Sequence, residues 1–178
     1  CNPLSSSEFE YLSKKNCIIL DVRSKFDFSR SHIPKSLFIG LEGNFAPWAG
    51  SVIGDIKTPI LLVTDKNKEK ETIKRLARVG FDNILGYLSD GIESWVKNGR
   101  EIDSIKNVSA DEILSKPLEI IDVRTPAEYL KKHVKSSINL PLNNYKKNKL
   151  KTLSNNPFYV HCQSGYRSLI YLSILKKS

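Results

Sequence analysis

At 178 residues, against a usual domain length of roughly 100–200 residues, the chain holds one large domain or two compact ones. Hydrophobic residues at 40% and aromatics at 9% exclude wholesale disorder, and no apolar run approaches the roughly 20 residues of a membrane-spanning helix. The net charge of +9 comes from lysines spread along the chain without interleaved aromatics, the pattern of a solvated surface rather than of a nucleic-acid groove.

Taken in chain order, Ser5-Ser6-Ser7-Glu8 is a capping box that opens a helix over Ser7–Lys14. Strands follow at Cys17–Asp21, Leu37–Ile39 and Ile60–Val63, then a helix over Glu69–Val79, a strand at Ile84–Tyr87 and a helix over Gly91–Asn98. Gly99 closes that helix, and a second capping box, Ser109 to Glu112, opens another over Asp111–Ser115. The boundary falls near Glu101 to Lys106 and divides residues 1–103 from 104–178. Beyond it the pattern predicts strands at Leu118–Asp122, Ile138–Leu140 and Phe158–His161, with helices over Pro126–Lys131 and Tyr166–Leu175. Strands alternating with helices define an α/β fold, here two mostly parallel sheets with helices on both faces.

The chain contains itself twice. Ile19–His32 (ILDVRSKFDFSRSH) matches Ile120–His133 (IIDVRTPAEYLKKH), pairing Asp21 with Asp122, Arg23 with Arg124, Phe28 with Tyr129 and His32 with His133 at a constant spacing of 101 residues. The second copy stops short of a counterpart to Asn83–Asn98, one strand and a closing helix, so the second domain reads as incomplete, with strand edges left unpaired. There is no methionine and the chain begins at Cys1, which suggests an internal piece of a longer protein. Cys1, Cys17 and Cys162 are too few and too scattered for a disulfide framework or a paired-cysteine zinc site, and a reducing, cytoplasmic setting is expected.

Chemistry is concentrated at one place. Phe158-Tyr159-Val160 runs into His161-Cys162-Gln163-Ser164-Gly165-Tyr166-Arg167-Ser168 and then a helical pattern. This sets Cys162 at a strand tip above a helix N-terminus, with Gly165 free to let the loop curl. The helix dipole, converging loop amides and the Arg167 guanidinium all favour a thiolate, the nucleophilic form of cysteine. A buried core cysteine is the commoner fate of a free thiol, but it does not explain such a loop between strand and helix.

With those residues in view, the chain resembles the rhodanese superfamily. The resemblance rests on Asp21-Val22-Arg23 and Asp122-Val123-Arg124, on His32-Ile-Pro-Lys-Ser36, on the Cys162–Ser168 loop and on the run from Gly80 to Trp95. It implies a sulfurtransferase in which Cys162 takes sulfane sulfur from thiosulfate or a small persulfide and passes it to a thiol or cyanide. Arg167 would hold the donor's anionic part, and Gln163, Ser164, Gly165, Tyr166 and Arg167 would line the substrate and stabilise the persulfide. Four residues separate Cys162 from Arg167, the loop size the resemblance associates with sulfur; related phosphatases have one more and a wider cradle. Asp122 and Arg124 recur in both halves and read as structural support, as does His133. No cofactor and no metal site are expected in this chain.

The first half lacks the nucleophile. Aligning Val63-Thr64-Asp65 with Val160-His161-Cys162 puts Asp65 in the place of Cys162, and the following loop has neither the glycine nor the arginine, so this half is expected to be silent. Cys17 reads as a core residue. In the family that the chain resembles, a silent first unit before an active second one occurs in free-standing tandem sulfurtransferases of the thiosulfate or mercaptopyruvate type. It also occurs in the tail of fusions whose front half is a metallo-β-lactamase-fold persulfide dioxygenase. The segments Leu37–Gly50 and Arg75–Leu88 look more like the fusion's first rhodanese unit. On that resemblance an upstream domain of that fold is an expected partner. The alternative function is a non-catalytic sulfur carrier or protein-interaction module; phosphatase activity and nucleic-acid or membrane association are not expected.

Overall fold

The computed structural model describes residues 2–114, 118–146 and 157–177. Cys1, and Ser115 at the end of the helix expected over Asp111–Ser115, lie outside them. The chain divides into two compact units, Cys1–Ile105 together with Lys176–Ser178, and Lys106–Leu175. Among the described residues no helix is long and apolar enough to cross a membrane.

The first unit contains β1 (Pro3–Leu4), α1 (Ser6–Ser13), β2 (Ile18–Asp21), α2 (Lys25–Arg30), β3 (Leu37–Phe38), α3 (Phe45–Ile53), β4 (Ile60–Val63), α4 (Glu69–Ala77), β5 (Ile84–Leu88) and α5 (Gly91–Lys97). Its five strands form an all-parallel sheet in the order β1-β5-β4-β2-β3. Every residue of the central strand β4 is buried, as expected of a parallel strand covered on both faces. Side chains alternate across it: Leu61 and Val63 join Phe9, Leu88, Ile92 and Trp95 in one apolar cluster, while Ile60 and Leu62 face the other way and are equally buried.

Three of these elements are not predicted from sequence. The segment Phe45–Ile53 holds Pro47 and Gly50 and reads as a loop, yet it buries Phe45, Ala49 and Val52 along one helical face. Helix α2 is short, but Ser24 caps it by accepting from the Asp27 amide. Strand β1 has only two residues and starts with proline, consistent with its place at the sheet edge.

The second unit contains α6 (Ala110–Leu114), β6 (Glu119–Asp122), α7 (Pro126–Lys131), β7 (Ile138–Asn139), a 3-10 turn at Leu142–Asn144, β8 (Phe158–His161) and α8 (Tyr166–Lys177) as far as Leu175. Its described strands form a parallel sheet in the order β7-β6-β8, the order of β3-β2-β4. Among the described residues β8 is therefore an edge strand. Its side chains are all only half-buried where those of β4 are fully buried. The fold is thus two α/β units with parallel sheets, the second smaller than the first.

The repeated motif performs one structural task twice. Asp21 is fully buried at the end of β2, and Arg23 closes back on it through its own amide, through Nε at 3.0 Å and through Nη2 at 2.7 Å. Asp122 and Arg124 repeat this at 2.9, 3.0 and 2.6 Å. In both units the arginine also donates to a carbonyl eight residues on, Ser31 and Lys132. A buried carboxylate saturated in this way is tolerated where an unpaired one is not. His32 stacks on Phe28 and His133 on Tyr129, at centroid distances of 4.1 and 3.9 Å. Each imidazole sets Nδ1 2.8 Å from the backbone carbonyl oxygen of the residue whose ring it stacks on, Phe28 or Tyr129, which fixes its orientation.

Candidate active site

Strand β8 delivers Cys162 to the carboxyl end of the sheet, where sites in parallel α/β folds lie. The chain then turns through Gln163, Ser164 and Gly165 into α8. Gly165 has φ 86, a left-handed conformation that lets the loop reverse at no steric cost. Cys162 is half-buried, Gln163 and Ser164 are exposed, and Gly165, Tyr166 and Arg167 are half-buried. The Cys162 thiol donates to Ser168 Oγ at 3.7 Å, and that hydroxyl donates to the Gly165 carbonyl at 2.9 Å. Ser168 thus ties the sulfur to the loop.

Arg167 does not stand open in the mouth of the loop. Its Nη1 and Nη2 each donate to the Glu128 carboxylate at 2.7 Å, a bidentate pair that gives both charge and direction. Glu128 also closes a capping box at the start of α7, accepting from the Thr125 amide at 3.0 Å. Held by Arg167 first and by Thr125 second, against the opposing effect of burial, Glu128 lies far below the usual carboxylate range. Arg167 is pushed up in turn, chiefly by Glu128, with Cys162 adding to the same effect. The result is a fixed positive charge between an acid and the sulfur.

Beneath the loop, Asp122 is fully buried, and although burial opposes its ionisation, the hydrogen bonds of Arg124 lower its pKa. Asn139 Nδ2 donates to the Asp122 and Arg124 carbonyls at 2.9 and 3.0 Å, tying β7 to the same corner. His161, next to Cys162, sets Nε2 3.4 Å from Asp122 Oδ2, and this buried nitrogen makes no hydrogen bond among the described residues. The structure therefore groups Cys162, Gly165, Arg167 and Ser168 at one point and seats Asp122 and Arg124 beneath them. Glu128, His161 and Ser168 are additional to the sequence reading. The Thr125-x-x-Glu128 capping pattern was the available signal for Glu128.

In the first unit, sheet register corrects the alignment of the corresponding loop. Asp21 pairs with Val63 and Asp122 with His161, and Val22 and Val123 donate to the Val63 and His161 carbonyls at 3.0 and 3.1 Å. Thr64, not Asp65, therefore stands where Cys162 stands. Asn67 then falls at the Gly165 position, and it too is left-handed, at φ 67. Asp65 matches Gln163 and Glu69 matches Arg167. The alignment from strand ends slipped by one because both stretches end in apolar residues of similar length.

The rhodanese-like domain model matches residues 6–98 and again 106–178, so the chain belongs to the rhodanese-like domain family. Comparison with curated proteins returns no match. Among solved structures, a rhodanese-like domain from Anabaena is 18% identical, with 62% of this chain and 88% of that one covered and a TM-score of 0.52. A crystal structure from the same Anabaena protein is 14% identical, covering 75% and 95%, with a TM-score of 0.51. A thiosulfate sulfurtransferase from Pseudomonas aeruginosa is 16% identical with a TM-score of 0.49; 98% of this chain aligns to 41% of that one. At these identities the likeness is one of fold.

Proposed function

We propose that the second unit is a sulfurtransferase acting through Cys162. The observation that carries this reading is the placement of a thiol at the end of β8, on a left-handed loop, beside an arginine fixed by Glu128. In the proposed first step the Cys162 thiolate attacks the sulfane sulfur of thiosulfate and sulfite leaves with the bonding electron pair. In the second, cyanide or a thiolate attacks the outer sulfur of the persulfide and the Cys162 thiolate is regenerated. Gln163, Ser164, Gly165, Tyr166 and Arg167 are the proposed lining of the site, with Asp122 and Arg124 holding it from below.

The test is to incubate the full chain with thiosulfate and cyanide and follow thiocyanate, with Cys162→Ser alongside. Turnover in the first and a drop of about a thousandfold or more in the second are expected, together with a gain of one sulfur atom on Cys162 by mass spectrometry. A folded protein with no turnover, or turnover that survives the substitution, overturns the reading.

A second reading, a sulfur carrier or interaction module, is favoured by one observation: both outer nitrogens of Arg167 are taken by Glu128. A carrier would gain the sulfur from a protein-bound or small persulfide and show no turnover of thiosulfate. The finer proposal, that the donor is a low-molecular-weight persulfide made by an upstream metallo-β-lactamase-fold dioxygenase domain, rests on the resemblance of Leu37–Gly50 and Arg75–Leu88. Sequencing the transcript upstream of Cys1 tests it: a histidine-rich metal motif supports it, and any other domain rejects it. A cytoplasmic setting is part of the same proposal.

A further inference from the structure

We propose that Ser168 is a catalytic residue of the second unit, its hydroxyl turning to donate a hydrogen bond to the Cys162 sulfur when that sulfur leaves as a thiolate. The inference rests on the sulfurtransferase reading and assigns a side chain to its second step. The Cys162 thiol donates to Ser168 Oγ at 3.7 Å, and the same hydroxyl donates to the Gly165 carbonyl at 2.9 Å. Ser168 is 6% exposed, so its hydroxyl takes its partners mainly from the protein.

Loss of the thiol proton makes this arrangement unfavourable. A hydroxyl has one hydrogen and two acceptor lone pairs, and while its hydrogen points at Gly165 a lone pair faces the sulfur. That suits a thiol and repels a thiolate. Rotation about the Cβ–Oγ bond brings the hydrogen onto the sulfur, where the hydrogen bond becomes charge-assisted. The Gly165 carbonyl keeps a donor when this happens, since it also accepts from the Leu169 amide at 3.1 Å. Arg167 cannot turn in this way, because Glu128 holds both of its outer nitrogens at 2.7 Å. The first unit supports a role tied to the thiol. With Thr64 in the place of Cys162 by sheet register, the position of Ser168 falls on exposed Lys70.

The two half-reactions use this hydroxyl unequally. In loading, the Cys162 thiolate attacks the sulfane sulfur, sulfite leaves with the bonding pair, and the Cys162 sulfur gives up its negative charge. A hydrogen bond to that sulfur is strongest before the step and does not speed it. In discharge, cyanide or a thiolate attacks the outer sulfur, the S–S bond breaks, and its electron pair goes to the Cys162 sulfur. The hydrogen bond then strengthens toward the transition state and stabilises the leaving group. No proton changes hands, because the hydroxyl keeps its hydrogen throughout.

The test times single-turnover loading by thiosulfate and discharge by cyanide separately, in the full chain as wild type, Ser168→Ala and Ser168→Thr. Ser168→Ala should slow discharge about tenfold, the effect of one hydrogen bond to a charged group, and change loading by no more than about twofold. Ser168→Thr keeps the hydroxyl and should hold discharge within about threefold of wild type. A second arm needs no sulfur transfer. Methyl methanethiosulfonate places a methylthio group on Cys162 with methanesulfinate leaving, and dithiothreitol then attacks the methyl-bearing sulfur and expels the Cys162 thiolate. Ser168→Ala should slow this removal by a similar factor, read by peptide mass spectrometry. In a wild type that loads, unchanged discharge in the folded alanine variant, or equal slowing of both steps, overturns the proposal. In a wild type that does not load, the sulfurtransferase reading falls, and unchanged methylthio removal overturns this proposal as well. Should Ser168→Ala not fold, Ser168→Gly takes its place.

Discussion

The two units are built on the same corner and diverge in what they place above it. Both have a buried aspartate satisfied by an arginine two residues on. Both have an imidazole stacked on an aromatic ring, a left-handed residue before β3 or β7 at Lys35 and Ser136, and a left-handed loop residue at Asn67 and Gly165. These features complete the hydrogen bonding of a strand end, and so they persist whether or not chemistry follows. The units differ in a few side chains of one loop, Thr64, Asp65 and Glu69 against Cys162, Gln163 and Arg167. The recurrent motif thus reports the fold, and on the proposed sulfurtransferase reading the non-recurrent loop carries the function.

That separation can be broken most directly by giving the first unit a thiol. In a Cys162→Ser background, Thr64→Cys supplies a sulfur acceptor at the right point of the sheet but leaves Glu69 and Asp65 around it. Sulfur uptake is expected at less than about a hundredth of the Cys162 rate, since the charge that should stabilise an anionic sulfur is inverted. Adding Glu69→Arg should recover part of it. Persulfide labelling followed by peptide mass spectrometry reads both outcomes, and uptake by Thr64→Cys at the native rate would mean that the loop charges are irrelevant.

A smaller effect distinguishes the cores. Phe28 is fully buried and also packs on Phe38 at 4.8 Å, whereas its counterpart Tyr129 is half-buried. Phe28→Ala should cost about 3–5 kcal/mol and Tyr129→Ala about half of that. Both tryptophans, Trp48 and Trp95, lie in the first unit. Urea denaturation followed by tryptophan fluorescence should therefore move with Phe28→Ala and stay in place with Tyr129→Ala, while far-ultraviolet circular dichroism responds to both.

The fold was legible wherever apolar periodicity met a cap. Strand Ile60–Val63 and helix Pro126–Lys131 are found at the expected residues, because the first is a continuous apolar run and the second starts with proline at a capped N-terminus. Helix α3 was illegible because Phe45, Ala49 and Val52 declare themselves helical only by what they bury, while Pro47 and Gly50 speak locally for a loop. Helix α2 could have been inferred from the repeat, since its counterpart α7 was predicted. At the site, Cys162 and its loop were readable from residue types alone. The partner of Arg167 was not, because Glu128 lies 39 residues away and only the fold brings it within 2.7 Å. The identity of the residue opposite Cys162 required sheet register, which no sequence pattern specified to a single residue.

The finest contrast between the units is their response to acid. Glu128 is depressed in the folded state, first by its hydrogen bonds from Arg167, so the stability it contributes is fully present above the ordinary glutamate value near 4.3. It is lost as pH falls toward the lower folded value, where the carboxyl takes a proton and releases the guanidinium. At the equivalent places the first unit has Asp27 and Glu69, two acids without such a pair, so this term belongs to the second unit alone. With the side chains 21% and 32% exposed, solvent screening limits the pair to about 1 kcal/mol. Glu128→Gln should lose that much near neutral pH and should flatten the decline in the second unit's stability between about pH 5 and 3. The same substitution frees both outer nitrogens of Arg167 for an anionic donor, so the KM for thiosulfate should fall about two- to fivefold while the thiol chemistry is retained. An unchanged KM together with an unchanged acid profile would mean that Glu128 holds only the helix cap, and that the arginine is restrained by the loop itself.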